Sequence, residues 1–139
     1  MVATNTKQKH RNRILTKIII IISAILLASF AVFVSVFDVY SVKGTSMEPT
    51  IMDGEYVIVK PNAKPNDNDI VVCDTATVYL KDKYIIKRYD AEKSTVGLYV
   101  VGDNTSDSLD SRDFGQLPKK DCNGVVVAIF SWQRGIIFV

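Results

Sequence analysis

The sequence predicts a mainly β fold, a small and partly open β-barrel or folded sheet, behind one N-terminal transmembrane helix. Three observations predict it. Residues 18–37 are twenty uncharged and mostly apolar residues in a row. Residues 38–139 alternate short β-branched runs with turn residues at close spacing. The charges are also segregated: residues 1–37 hold five cations (Lys7, Lys9, Arg11, Arg13, Lys17) and no Asp or Glu, whereas the remainder holds twelve cations and fifteen anions. The 139 residues amount to one domain, and a hydrophobic content of 47% supplies enough apolar surface to exclude intrinsic disorder. A net charge of +2, split as a basic head on a mildly acidic body, marks membrane topology and gives no sign of nucleic-acid binding.

The apolar run reads IIIIISAILLASFAVFVSVF, with Ser23, Ser29 and Ser35 its only polar side chains. As a helix rising ~1.5 Å per residue it spans ~30 Å, the thickness of a bilayer's hydrocarbon core. Each serine hydroxyl can bond back to a carbonyl one turn earlier, so it costs little in lipid. Basic residues stay on the cytoplasmic side. The chain therefore divides into a cytoplasmic basic N-terminus (1–17), an anchor (18–37) and an exported β domain (38–139). Ser29-Phe30-Ala31 also fits a cleavable signal peptide, but the apolar run continues to Phe37, beyond the ~7–15 residues of such a segment, which favours a retained anchor.

Within the exported body, strands are expected over 55–59, 70–72, 75–80, 84–86, 98–101 and 125–130, where β-branched and aromatic residues cluster. Turn residues separate them at 52–54, 61–62, 65–68, 81–83 and 121–124. No helical pattern longer than two turns is expected outside the anchor.

Cys73 and Cys122 both fall in this body, and the only histidine, His10, lies in the basic head. No zinc-ligand spacing exists, and neither a Ser-His nor a Cys-His pair is available on the exported side. No metal or other cofactor is implied. The cysteines can bond in an oxidising compartment or stand as buried free thiols, and the latter is the plainer reading.

Without histidine, a nucleophilic site needs a lysine or carboxylate base. Three segments stand out. Val42-Lys43-Gly44-Thr45-Ser46-Met47-Glu48-Pro49-Thr50 is a Gly- and Pro-containing loop just after the anchor, able to present a hydroxyl and backbone N–H groups. On composition alone it is an ordinary turn. In Lys83-Tyr84-Ile85-Ile86-Lys87-Arg88-Tyr89, strand alternation sets Lys87 between Ile85 and Tyr89 on one face. Desolvation there lowers a lysine's pKa, although an unexceptional strand lysine snorkels to water. Residues 101–115 are dense in Asp, Ser and Asn, with Asp110 and Arg112 close enough to pair. They lack the glycine and terminal glutamate of an EF-hand calcium loop.

Taken together, Ser46-Met47-x-Pro49-Thr50, Lys87-Arg88, and Gly102-Asp103-Asn104 with Ser108-x-Asp110-Ser111-Arg112-x-Phe114-Gly115 resemble the blocks of type I signal peptidases, in the same order behind a single anchor. The resemblance covers nearly the whole chain from the anchor onward. It implies a membrane-bound serine endopeptidase with a Ser-Lys dyad. Its partners would be the signal peptides of secreted preproteins, with small residues at −1 and −3, and the lipid bilayer, with no nucleic acid. It would act as a monomer on the outer face of the cytoplasmic membrane. By position, Ser46 is the nucleophile and Lys87 the general base. Ser108 would orient Lys87, Asp110 and Arg112 would form a supporting ion pair, and Gly102, Asp103 and Asn104 would shape the loop behind the site. The oxyanion would be met by the Ser46 N–H, with a contribution from Gly44, which stands where some relatives carry a hydroxyl.

An ordinary lysine near pKa ~10.4 is neutral in roughly one molecule in two thousand at pH 7, and a shift to about 8 raises this to about a tenth. The substrate is expected to lie extended along a strand edge, with pocket walls that include Ile51, Val59 and Ile86. Trp132, Ile136, Ile137 and Phe138 suit either a lipid surface or a core strand end.

The chain departs from the family after Lys87-Arg88. Relatives commonly continue there into a Gly-Leu-Pro-Gly-Asp turn and a β-rich insertion; here Tyr89-Asp90-Ala91-Glu92-Lys93 runs almost at once to Gly102. Asp107 stands where relatives often carry an amide. Lysine at the base position separates the chain from branches that use histidine. Two alternatives follow: a catalytically inactive membrane-tethered paralogue that binds signal peptides, and self-cleavage of the kind performed by SOS-type repressors, which share the dyad.

Overall fold

The computed structural model describes residues 2–78 and 83–139, in two compact units that meet in sequence between Val36 and Phe37. The first unit is one helix, α1 (Val2–Val36). From Gln8 to Val36 it is long and apolar enough to cross a membrane. Its isoleucines, leucines and phenylalanines from Ile14 onward are exposed. Ser29 donates to the Leu26 carbonyl at 2.9 Å and Ser35 to that of Ala31 at 2.8 Å, the back-bonding expected of serines in such a segment. The helix starts well before residue 18 and stops one residue short of Phe37.

In the second unit the described residues form one open antiparallel sheet of seven strands: β1 (Asp38–Ser41), β2 (Tyr56–Pro61), β3 (Ile70–Asp74), β4 (Tyr84–Asp90), β5 (Tyr99–Val101), β6 (Cys122–Ser131) and β7 (Gly135–Phe138). Their order is β1-β2-β6-β3-β4-β5. The long β6 pairs β2 along one edge; along the other it pairs β3 at its start and β7 at its end. A bulge in β6 and another where β3 meets it bend the sheet without closing it. The mainly β expectation holds, in its open, folded-sheet form.

Both faces of the sheet are covered, which explains the unbroken apolar run of β3. Ile70 and Val72 join one core cluster with Val42, Met47, Ile51, Val57, Val59 and Ile86. Val71 and Cys73 join a second with Leu98, Val100, Leu117 and Val125. Period-two alternation thus sends neighbouring side chains into different cores.

Two local expectations fail. Residues 75–78 do not extend a strand, because the Asp74 carboxylate accepts the Ala76 N–H at 2.7 Å and the Val78 N–H bonds to the Thr75 carbonyl at 3.0 Å, closing a turn. Tyr79 and Leu80, the rest of that expected strand, lie outside the described residues, as do two residues of the 81–83 turn. Residues 122–124, expected as a turn, instead open β6, since Cys122 and Gly124 find ladder partners on β3. Among the four apolar residues near the C-terminus only Ile137 packs on the core; Ile136 is exposed, and Trp132 and Phe138 are 84% and 83% exposed.

Candidate active site

The chain leaves β1 into a loop whose backbone is positive at Gly44 (φ 88), a conformation that suits glycine. The Gly44 N–H donates to Asp53 Oδ1 at 2.8 Å. Residues 45–51 then coil tightly, with Glu48 N–H on the Thr45 carbonyl and Ile51 N–H on that of Met47. Met47 is driven into the core, 2% exposed, and this anchors its neighbour Ser46 at the surface of the cleft. The Ser46 N–H donates to none of the described groups.

Opposite stands Lys87, in the middle of β4 and only 3% exposed. Its Nζ donates to Ser46 Oγ at 2.6 Å, across 41 positions of sequence. Lysine is rarely buried, because desolvation penalises the ammonium. That burial is the main reason its pKa is pushed below the ordinary 10.5. The Arg112 charge pushes the same way, while Asp110, Asp103 and Asp107 oppose. The net shift is downward, toward easier loss of the ammonium proton. Ser46 Oγ and Lys87 Nζ lie at hydrogen-bond distance, the geometry a general base requires.

The loop after β5 braces this pair from behind. Gly102 is wedged so closely that an added Cβ would lie 2.1 Å from Ser108 Oγ and 2.6 Å from the Ser46 carbonyl oxygen. Its N–H donates to Asp110 Oδ2 at 2.8 Å. The Asn104 N–H donates to the Ser46 carbonyl at 3.0 Å, and its side-chain amide to that of Thr45 at 3.2 Å. Thr45 Oγ1 donates to Asp107. Asp110 is fully buried and caps the short helix α2 (Ser111–Phe114), receiving Arg112 through Nε at 2.8 Å and through its Nη2 at 2.5 Å. Burial works against the Asp110 charge, but the bonds from Arg112, Gly102 and Ser108 outweigh it and hold the carboxyl far below its usual range. The expected Asp110–Arg112 ion pair is therefore present, with Arg112 partly in solvent.

Two site expectations need correction. The Ser108 hydroxyl, cast as the partner that orients Lys87, donates instead to Asp110 Oδ2 at 2.7 Å. It is drawn there because a buried carboxylate is a stronger acceptor than a lysine amine is a partner. The Gly44 N–H, cast as an oxyanion donor, is committed to Asp53. The pocket expectation is also partly wrong: Ile51 and Val59 are wholly in the core, and only Ile86 lines the cleft.

The sequence reading left Arg88 without a role and missed Thr50 and Arg134. Arg88 grips Asp103 through Nε at 2.7 Å and Nη2 at 2.6 Å, and Thr50 Oγ1 donates to the same carboxylate at 2.5 Å. Burial would raise the Asp103 pKa, yet Arg88 and Thr50 hold it low. Arg134, in the β6–β7 hairpin, pairs with the buried Glu55 at 2.6 Å and reaches the Thr50 carbonyl. The adjacency of Arg88 to Lys87 was the one available signal; strand alternation turns it to the other face.

The cleft has a volume of about 640 Å³. Residues 41–47 form one wall and 83–87 the other, with Asp107 and Leu109 also contributing. β4 pairs β5 only from Arg88 onward, so among the described residues no strand occupies that edge beside residues 84–87. No group of three or more His, Cys, Asp or Glu among the described residues is placed to hold a metal ion.

An open antiparallel sheet that presents a loop serine to a buried strand lysine defines a serine peptidase-type fold. Residues 36–116, more than half the chain, match the Peptidase S24-like family model, and the chain belongs to that family. A search of curated proteins finds no match.

Proposed function

We propose that the protein is a membrane-anchored serine endopeptidase of the type I signal peptidase kind, which removes signal peptides from exported preproteins. The observation that carries this reading is the 2.6 Å approach of Ser46 Oγ to a lysine 3% exposed. In the reactive form the neutral Lys87 amine accepts the Ser46 proton as Oγ attacks the scissile carbonyl. The Ser46 N–H faces the developing oxyanion. The Lys87 ammonium then returns its proton to the leaving amine, leaving an ester on Ser46. Water, deprotonated by the same amine, releases the new carboxylate.

The substrate lies extended along the unoccupied edge of β4, bonding to the backbone of residues 84–87, and small side chains at −1 and −3 enter the cleft near Ile86. α1 crosses the cytoplasmic membrane once with its basic end inside, which sets the β domain on the outer face close to where signal peptides emerge. The enzyme works as a monomer. Exposed Trp132, Ile136 and Phe138 suit contact with the lipid surface.

The test is cleavage of a preprotein bearing an A-x-A site, in detergent. Ser46→Ala and Lys87→Ala should each lower kcat/KM by at least about 10³-fold while leaving the thermal transition cooperative. Full activity in Lys87→Ala removes the proposed base. Binding without turnover in the unaltered chain favours an inactive signal-peptide binder. The S24-like family match favours a second reading, in which the same dyad cuts its own chain; fragmentation during prolonged incubation, read by intact mass and lost in Ser46→Ala, distinguishes it.

A further inference from the structure

We infer that Cys73 and Cys122 form a preorganised disulfide site that staples β3 to β6 when a disulfide donor is present. Both are free thiols in the structure. They are nonetheless direct partners in the antiparallel ladder, the last pair at that end of the β3–β6 pairing. Opposed residues in such ladders have Cα atoms about 4.5–5.5 Å apart, inside the roughly 4.4–6.8 Å window of a disulfide. The ladder sets the two residues directly opposite one another, so the two sulfurs need cross no intervening residue to meet. The β6 bulge at this point loosens the ladder next to the pair.

Burial assigns the order of events. Cys73 is fully buried at 0% exposure, whereas Cys122 is half-buried and can be reached from solvent. Burial helps push the Cys73 thiol up, so the accessible Cys122 is the sulfur that meets the donor first. The Cys122 thiolate attacks one sulfur of a donor disulfide, forming a mixed disulfide and expelling a donor thiolate. Cys73 then loses its proton and attacks the Cys122 sulfur, and the bond to the donor breaks. The two cysteines are oxidised by two electrons, the donor disulfide is reduced to two thiols, and two protons are given up.

The bond closes a loop of about fifty residues that contains β4, β5 and α2, and with them Lys87 and the bracing loop. It lies away from the cleft, whose lining includes neither cysteine. The staple therefore restricts the unfolded chain without entering the dyad.

The experiment uses the full chain in detergent micelles, incubated with oxidised glutathione and read by intact mass, non-reducing peptide mapping and thermal melting. The expected result is a loss of about 2 Da, a Cys73–Cys122 cross-linked peptide and a rise of about 10 °C in midpoint, all reversed by dithiothreitol. Cys73→Ser should stop at the glutathione adduct on Cys122 and gain no stability. Two thiols still free, a persistent adduct on Cys122 in the unaltered chain, or a cross-link without a rise in midpoint would each overturn the proposal. The Ser46→Ala chain should close the bond equally well, so failure of the peptidase reading leaves this result intact.

Discussion

At the scale of single residues, the molecule accepts an unfavourable group where it needs one. Lys87 is buried with one hydroxyl partner on its amine and, among the described residues, no carboxylate bonded to it, an arrangement that destabilises the ammonium. In the unfolded chain the same lysine titrates near 10.5. Between the lowered folded value and 10.5 the unfolded state binds more protons, so stability contributed by this residue rises with pH through that window and is lowest beneath it. Lys87→Met should therefore raise the melting midpoint at pH 7, and its advantage over the unaltered chain should shrink as pH approaches 10.5. Thermal melts at pH 7 and pH 10 check this; an advantage independent of pH would mean that Lys87 is not the group being relieved. On the mechanism proposed above, the same shift sets the acid limb of kcat/KM. The limb should lie below the ordinary lysine value and reflect deprotonation of one amine.

How much of this was legible in the sequence depends on distance along the chain. The order of Ser46, Lys87 and the 102–115 block was readable, because each sits in a short motif whose residue types are chemically specific. That Lys87 would be buried was only half readable: alternation put Ile85 and Tyr89 beside it, but nothing local said that a loop 41 positions away would cover the amine. Arg88–Asp103, Thr45–Asp107 and Arg134–Glu55 were not readable, since each joins segments that meet only when the sheet folds. Ser108 was misassigned because a motif gives spacing and not the direction of a hydroxyl hydrogen.

At the scale of elements, the loop between β5 and α2 is the part on which the site's geometry rests. Asp110 there collects five hydrogen bonds to its two oxygens, from Gly102, Ser108 and Arg112. Its depressed pKa means that this stability is present above the ordinary carboxylate range and is lost only as strong acid protonates it. Gly102 is the tightest point. Its φ is not in the left-handed region, so the requirement for glycine is space rather than conformation. Gly102→Ala should force the loop away from Ser46, costing about 1–3 kcal/mol of stability as an overpacked substitution does. It should also lower kcat more than the stability loss explains, because Ser46 moves relative to Lys87. Denaturant unfolding and steady-state kinetics on the same variant separate the two effects. An unchanged kcat would show that the loop does not position the nucleophile.

At the scale of the whole molecule, the division at Val36 and Phe37 separates two kinds of stability. Residues 37–139 bury two apolar clusters of their own, and every ion pair among the described residues lies within them. The β unit excised at residue 37 should therefore fold cooperatively and keep its dyad. Against a short soluble peptide, whose encounter with the enzyme does not depend on a membrane, its kcat/KM should match that of the full chain. Against a preprotein inserted in vesicles it should fall by about 10²-fold, because sharing a bilayer raises the effective concentration of enzyme for substrate by that order. Measuring both substrates with both proteins separates chemistry from delivery. An equal loss on the two substrates would mean that α1 supports the fold of the catalytic unit, whereas no loss on either would mean that the substrate is not met at a membrane.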